Sequence, residues 1–172
     1  LDPKLNEKIQ KDKQLILERK RTEELKHNAD NMFKSKEFEK AKELYLEILK
    51  TDSLNEKVLS NLSLIYLNFE DYENVIKYCT EILRIIKIFK ERINIRKYDN
   101  SLEIKVLLRR AKSYEKLEQM SKAQEDLEAV ERLEIRNELI MKDIKEIKDA
   151  LKGRLLSSYQ ETADRKSTRL NS

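Results

Sequence analysis

The chain has 172 residues, 41% of them charged and 39% apolar, with one Gly, one Pro and a net charge of +4. That leaves almost no material for the turns of a sheet, while the apolar share still buries a core if it gathers on one face of each helix. The 37 basic and 33 acidic residues are intermixed, Cys79 is alone and forms no internal disulfide, and no apolar run approaches the roughly 20 residues of a membrane span, so nucleic acid and membrane are both unprompted as partners.

Taken in chain order, residues 1–21 read as a basic, weakly amphipathic helix with Leu5, Ile9, Ile16 and Leu17, either a lead-in helix or a linker from an upstream domain. The first residue is Leu1 rather than Met, and the chain is expected to be a fragment. Residues 22–55 carry two apolar stripes, Leu25, Ala29, Met32 and Phe33, then Phe38, Ala41, Tyr45, Ile48 and Leu49. Residues 56–89 repeat the pattern with Leu59, Leu62, Ser63 and Tyr66, then Tyr72, Val75, Cys79, Ile82 and Leu83. Spacings of three and four put each stripe on one helix face, and the short polar break between stripes folds each pair antiparallel.

Residues 90–103 are an insertion that extends the second helix of the second pair. The seam Ile82, Ile86, Phe89 and Ile93 runs into it, whereas Ile85, Ile88 and Ile95 fall off the seam and are expected to be exposed. Asn100 with Glu103 reads as a capping box that opens the next helix. Residues 104–137 form a third pair with Leu107, Ala111 and Tyr114, then Met120, Ala123, Leu127 and Val130. Residues 138–153 hold a last stripe, Ile140, Ile144, Ile147 and Leu151, ended by Gly153 and expected to cap the apolar edge. Residues 154–172 read as a tail. Its end, DRKSTRLNS at 164–172, is what one reading frame of a common sequencing adapter encodes, so it is set apart from the fold as an artefact, with the true protein continuing past Ala163.

The three pairs share one ruler. Small residues recur at position eight (Ala29, Ser63, Ala111) and twelve residues later (Ala41, Val75, Ala123), giving a 34-residue period across 22–55, 56–89 and 104–137. This order of small and aromatic positions resembles the tetratricopeptide repeat, over roughly residues 22 to 152. The resemblance implies an all-α, right-handed superhelical solenoid of three antiparallel helix pairs with a C-terminal capping helix. Two family features differ here. Ala or Ser replaces the usual glycine at position eight, and Ser53, Lys87 and Ile135 replace the closing proline, so a second helix can run on, as is expected after the second repeat. The third repeat, LLRRAKSYEKLE at 107–118, is similar to axonemal dynein assembly factors and to small co-chaperones of the family.

The resemblance also implies that the first helix of each pair lines a concave groove. The groove positions hold Lys26, His27, Asp30 and Lys34, then Lys57, Asn61, Leu64 and Asn68, then Lys105, Arg109, Lys112 and Lys116. Such donors suit an acidic peptide with a free carboxylate end. In co-chaperones of the family, a five-residue carboxylate clamp holds the Glu-Glu-Val-Asp terminus of heat-shock chaperones. Carried over, its lysine falls on Lys26, one asparagine on Asn61, and its lysine and arginine on Lys105 and Arg109, with Lys57 and Lys112 as secondary contacts. The remaining asparagine is Asp30 here. An ionised Asp30 is expected to repel a ligand carboxylate at a cost on the order of 1 to 3 kcal/mol, or to pair with Lys26 one turn earlier.

Other chemistry is thin. His27 is the sole histidine, Cys79 falls on a packing position, and no carboxylate has an apolar setting that suits acid–base work. The expectation is a non-catalytic cytoplasmic adaptor with no cofactor, metal or small-molecule substrate. Its partner is the C-terminal peptide of heat-shock chaperones of the seventy- or ninety-kilodalton classes. The alternative is an assembly scaffold that holds a folded partner on its convex face or on the 90–103 insertion.

Overall fold

The computed structural model describes residues 2–93, 99–133 and 138–170, the side chains of residue 93 and of 163–170 excepted. Among these residues there are seven α-helices and no strand: α1 (Pro3–Lys34), α2 (Phe38–Thr51), α3 (Glu56–Asn68), α4 (Tyr72–Ile93), α5 (Ser101–Lys116), α6 (Met120–Arg132) and α7 (Glu138–Leu170). Among the described residues, no helix is long and apolar enough to cross a membrane. Two compact units divide the chain, residues 1–65 and residues 66–172.

One device turns the chain inside every repeat. Lys36, Glu70 and Glu118 all have positive φ, at 62°, 56° and 59°. Each stands at repeat position fifteen. Their N–H groups donate back to Phe33, Leu67 and Glu115, and the next residues' N–H groups donate to Met32, Tyr66 and Tyr114. These are Schellman motifs, which satisfy carbonyls that the ending helix leaves unpaired. Glycine is the usual residue at such a site, since a side chain in the left-handed region costs roughly 1–2 kcal/mol. The chain makes all three turns without one.

In the first unit, α1 packs on α2. Ala29, Ala41, Tyr45 and Ile48 are fully buried, and Phe33 meets Phe38 and Tyr45 edge to face at 5.7 and 6.4 Å. The small residues at positions eight and twenty of the repeat have no exposed surface in any of the three pairs. The stretch to Arg21 is not a separate element. It is the start of α1, opened by Asp2, whose side chain accepts from the Lys4 N–H, with Pro3 in the first turn.

In the second unit, α5 packs on α4, α6 and α7. Ile104, Leu107, Leu108 and Ala111 of α5 form one cluster with Ala123, Leu127 and Val130 of α6 and with Ile144, Ile147 and Leu151 of α7. Each large side chain buried there contributes roughly 1.5–3 kcal/mol. Two buried carboxylates join the helices. Asp126 accepts two hydrogen bonds from Arg110, at 2.8 and 2.6 Å, and Glu115 accepts from Arg154 Nε at 2.7 Å. Both are buried and each is matched by a guanidinium.

Three details depart from the sequence reading. The capping box at Asn100 does not form: the Asn100 side chain makes no cap bond, and Asp99 instead accepts from the Ser101 N–H and hydroxyl. Asn100 and Glu103 are drawn off by the Lys90 ammonium, which donates to both. Helix α7 does not stop at Gly153 but runs to Leu170. A lone glycine costs a helix only about 1 kcal/mol, and Arg154 beside it is tied to Glu115 and Glu118. On α4, Ile82 and Ile86 are buried, but Phe89 of the expected seam is exposed, as is Ile88, while Ile85 is half-buried. Ile95 lies outside the described residues.

Candidate peptide-binding site

The first unit carries Lys26, Asp30, Lys57 and Asn61, and it joins the last three into one polar knot. Asp30 and Lys26 lie one turn apart on α1, while Lys57 and Asn61 lie one turn apart on α3. The Lys57 ammonium donates to Asp30 Oδ2 at 2.6 Å. The Tyr45 hydroxyl, from α2, donates to Asp30 Oδ1 at 2.7 Å. The Asn61 amide donates to the Tyr45 oxygen at 2.8 Å and, more weakly, to Asp30 Oδ1 at 3.4 Å. The expected pair with Lys26 is therefore replaced by one with Lys57, and Lys26 acts on Asp30 only through its charge.

Burial pushes the Asp30 carboxyl up, but the hydrogen bonds from Lys57 and Tyr45 and the charges of Lys57 and Lys26 outweigh it, leaving the pKa below the ordinary carboxylate value. Asp30 is thus firmly ionised at neutral pH. For Tyr45 the balance runs the other way. Burial and the Asp30 carboxylate both resist a phenolate, so its pKa is raised and the hydroxyl stays a donor.

The second unit carries Lys105, Arg109 and Lys112 on α5. With Lys116 they stand four, three and four residues apart, which is a single helical stripe. That stripe borders a groove of about 680 Å³ between α5 and α7. Its apolar lining includes Ile104 and Leu108 from α5 and Ile140, Ile147 and Ala150 from α7, with Leu139 at the exposed edge. Asp143 and Glu146 line it from α7. Lys105, Lys112 and Lys116 are exposed, whereas Arg109 is half-buried. Burial lowers the Arg109 pKa, and the hydrogen-bonded Cys79 sulfur opposes that shift. The guanidinium stays cationic because arginine's ordinary pKa lies far above neutrality.

Such a groove offers an apolar side chain a dry floor and offers carboxylates a row of charge-assisted donors. Its acidic edge restricts what enters. Among the described residues no group of three or more His, Cys, Asp or Glu could hold a metal ion.

Tyr45 was read from the sequence as a packing residue only, and its hydroxyl was missed as the centre of the first unit's knot. Lys57 was read as a secondary contact, yet it holds Asp30. The signal was present in the register: positions nine of one repeat and two of the next lie on first helices of neighbouring pairs. The pairing of Arg110 with Asp126, sixteen residues on, has no local signal in the sequence.

Residues 104–134 match the tetratricopeptide repeat family. No curated protein matches the chain. Among solved structures, the chain is similar to the second TPR domain of human RPAP3 in complex with the HSP70 peptide SGPTIEEVD, at 26% identity and a TM-score of 0.56, covering 72% of this chain and 92% of that one. It is also similar to the N-terminal domain of the C. elegans stress-induced protein STI-1, at 19% identity and a TM-score of 0.60, covering 75% and 95%. A third likeness is to the Hsp90 co-chaperone Cns1 of Saccharomyces cerevisiae, at 22% identity and a TM-score of 0.66, covering 89% of this chain and 46% of that one. Residues 104–134 thus carry a tetratricopeptide-repeat match, and the fold of the chain is similar to that of tetratricopeptide-repeat domains solved from co-chaperones.

Proposed function

We propose that this domain is a non-catalytic cytoplasmic adaptor that docks the acidic C-terminal tail of a heat-shock chaperone of the seventy- or ninety-kilodalton class. The observation that carries the reading is the stripe of Lys105, Arg109, Lys112 and Lys116 along the apolar groove of the second unit. A tail ending Glu-Glu-Val-Asp supplies the matching chemistry, carboxylates for the cations and a valine for the floor. The likeness to a human RPAP3 domain in complex with a peptide of that ending supports it. Lys105 and Arg109 are the principal contacts and Lys112 adds attraction; in the first unit, Lys26 and Asn61 hold the register of clamp contacts. An affinity in the micromolar range is expected, about −8 kcal/mol.

Fluorescence anisotropy with a labelled peptide ending Glu-Glu-Val-Asp tests this. Wild-type protein is expected to bind and the double variant Lys105→Glu, Arg109→Glu is not. Equal binding by both sinks the reading. A second reading, a scaffold for a folded partner, draws on Ile88 and Phe89, which are 38% and 41% exposed on α4 next to the insertion. Replacing both by Ser then abolishes partner capture and leaves peptide binding unchanged.

A further inference from the structure

The first unit holds a carboxylate where the clamp of related domains holds an amide. That carboxylate is not idle: Asp30 takes the Lys57 ammonium on one oxygen and the Tyr45 hydroxyl and Asn61 amide on the other. The Asn61 Nδ2 lies 2.8 Å from the Tyr45 oxygen and 3.4 Å from Asp30 Oδ1, so the amide is turned into the knot. The Asp30 side chain is only 20% exposed. These donors are the ones a ligand carboxylate needs, and the chain's own carboxylate already fills them.

We infer that Asp30 is a built-in competitor of the ligand's terminal carboxylate, and so sets the specificity of the domain. A free C-terminus entering the first unit has to displace Asp30 from Asn61, and it then lies beside the charge it displaced. Little is gained from that exchange. The ligand is therefore read mainly through its side-chain carboxylates and its apolar residue, so an acidic segment inside a chain binds nearly as well as one at a free end. This deepens the chaperone-tail reading and rests on it.

Two peptides of one sequence ending Glu-Glu-Val-Asp, one with a free C-terminal acid and one with a C-terminal amide, decide the matter by anisotropy. Wild-type protein is expected to prefer the acid by threefold or less. Asp30→Ala, which withdraws the competitor without adding a donor, is expected to prefer it by tenfold or more, and Asp30→Asn at least as strongly. The inference is overturned if wild type already discriminates tenfold, or if Asp30→Asn gains discrimination and a folded Asp30→Ala does not. In that last case the missing amide donor is the cause, and competition is not.

Failure of the chaperone-tail reading shows differently, as no binding of either peptide by any of the three proteins. Hydrogen exchange of the Asn61 side-chain amide in free protein then decides the inference alone. Slow exchange in wild type and fast exchange in Asp30→Ala supports it. Equal rates overturn it.

Discussion

The two units carry equivalent helix positions to opposite ends. In the first, Asp30, Lys57, Tyr45 and Asn61 close on one another within 3.4 Å. In the second, Lys105 and Lys112 stay exposed along the groove, while Glu115 is shared between Arg154 and Lys116 and Asp126 is held by Arg110. The difference comes from one carboxylate and its neighbours. A repeat position prescribes where a side chain stands, whereas the charge of the residues around it decides whether that side chain is spent inside the protein or offered to a ligand.

The groove's floor is the most sensitive part of the contrast. Ile147 packs in the α5–α6–α7 cluster and also lines the groove. Ile147→Ala is expected to cost about 2–4 kcal/mol of stability, measured by urea denaturation, and to weaken peptide binding as well. A loss below about 1 kcal/mol means that α7 covers the cluster more loosely than its buried residues indicate.

Charge on the groove's rim comes next. Lys105→Glu is expected to weaken an acidic peptide about tenfold, or about 1.4 kcal/mol, whereas Lys57→Glu puts a second carboxylate against Asp30 and is expected to cost folding stability as well. Titration calorimetry and thermal melts of the two variants separate the roles. Lys57→Glu acting on binding alone breaks the comparison.

The knot of the first unit has a pH signature. Because the folded-state pKa of Asp30 is held below its unfolded value near 4, its stabilisation is complete above about pH 4 and is lost as pH falls through the folded value. Asp30→Asn is expected to lower stability by about 1 kcal/mol at pH 7, less for the solvent screening of the largely exposed Lys57. At pH 2 it is expected to change little. Denaturant midpoints at the two pH values check this, and an equal loss at both contradicts the ion pair as its source.

The smallest effects are expected at the turns, where the units are alike. Lys36→Gly and Glu70→Gly each relieve a left-handed residue and are expected to stabilise by about 0.5–1 kcal/mol. A gain in one unit and a loss in the other shows that the two Schellman turns are not equivalent.

Much of this fold was legible because packing has a period. Ala29, Ser63 and Ala111, with Ala41, Val75 and Ala123 twelve residues on, announced the helix pairs, and each has no exposed surface. The stripe of Lys105, Arg109 and Lys112 followed from the same register. What stayed hidden was choice among partners. Nothing local in the sequence makes Asp30 prefer Lys57, twenty-seven residues away, over Lys26 one turn back. Nor does it show that Lys90 removes Asn100 from its cap, or that Arg154 carries α7 past Gly153. Those outcomes depend on which long side chains reach each other after the helices pack.

The central claim is that the groove between α5 and α7 receives an acidic tail. Amide and methyl NMR shifts of the full chain, titrated with a peptide ending Glu-Glu-Val-Asp, test it most directly. The account predicts saturating shifts centred on Lys105, Arg109, Lys112, Ile140 and Ile147. Shifts confined to α6, or to Ile88, Phe89 and the insertion that follows them, would contradict it.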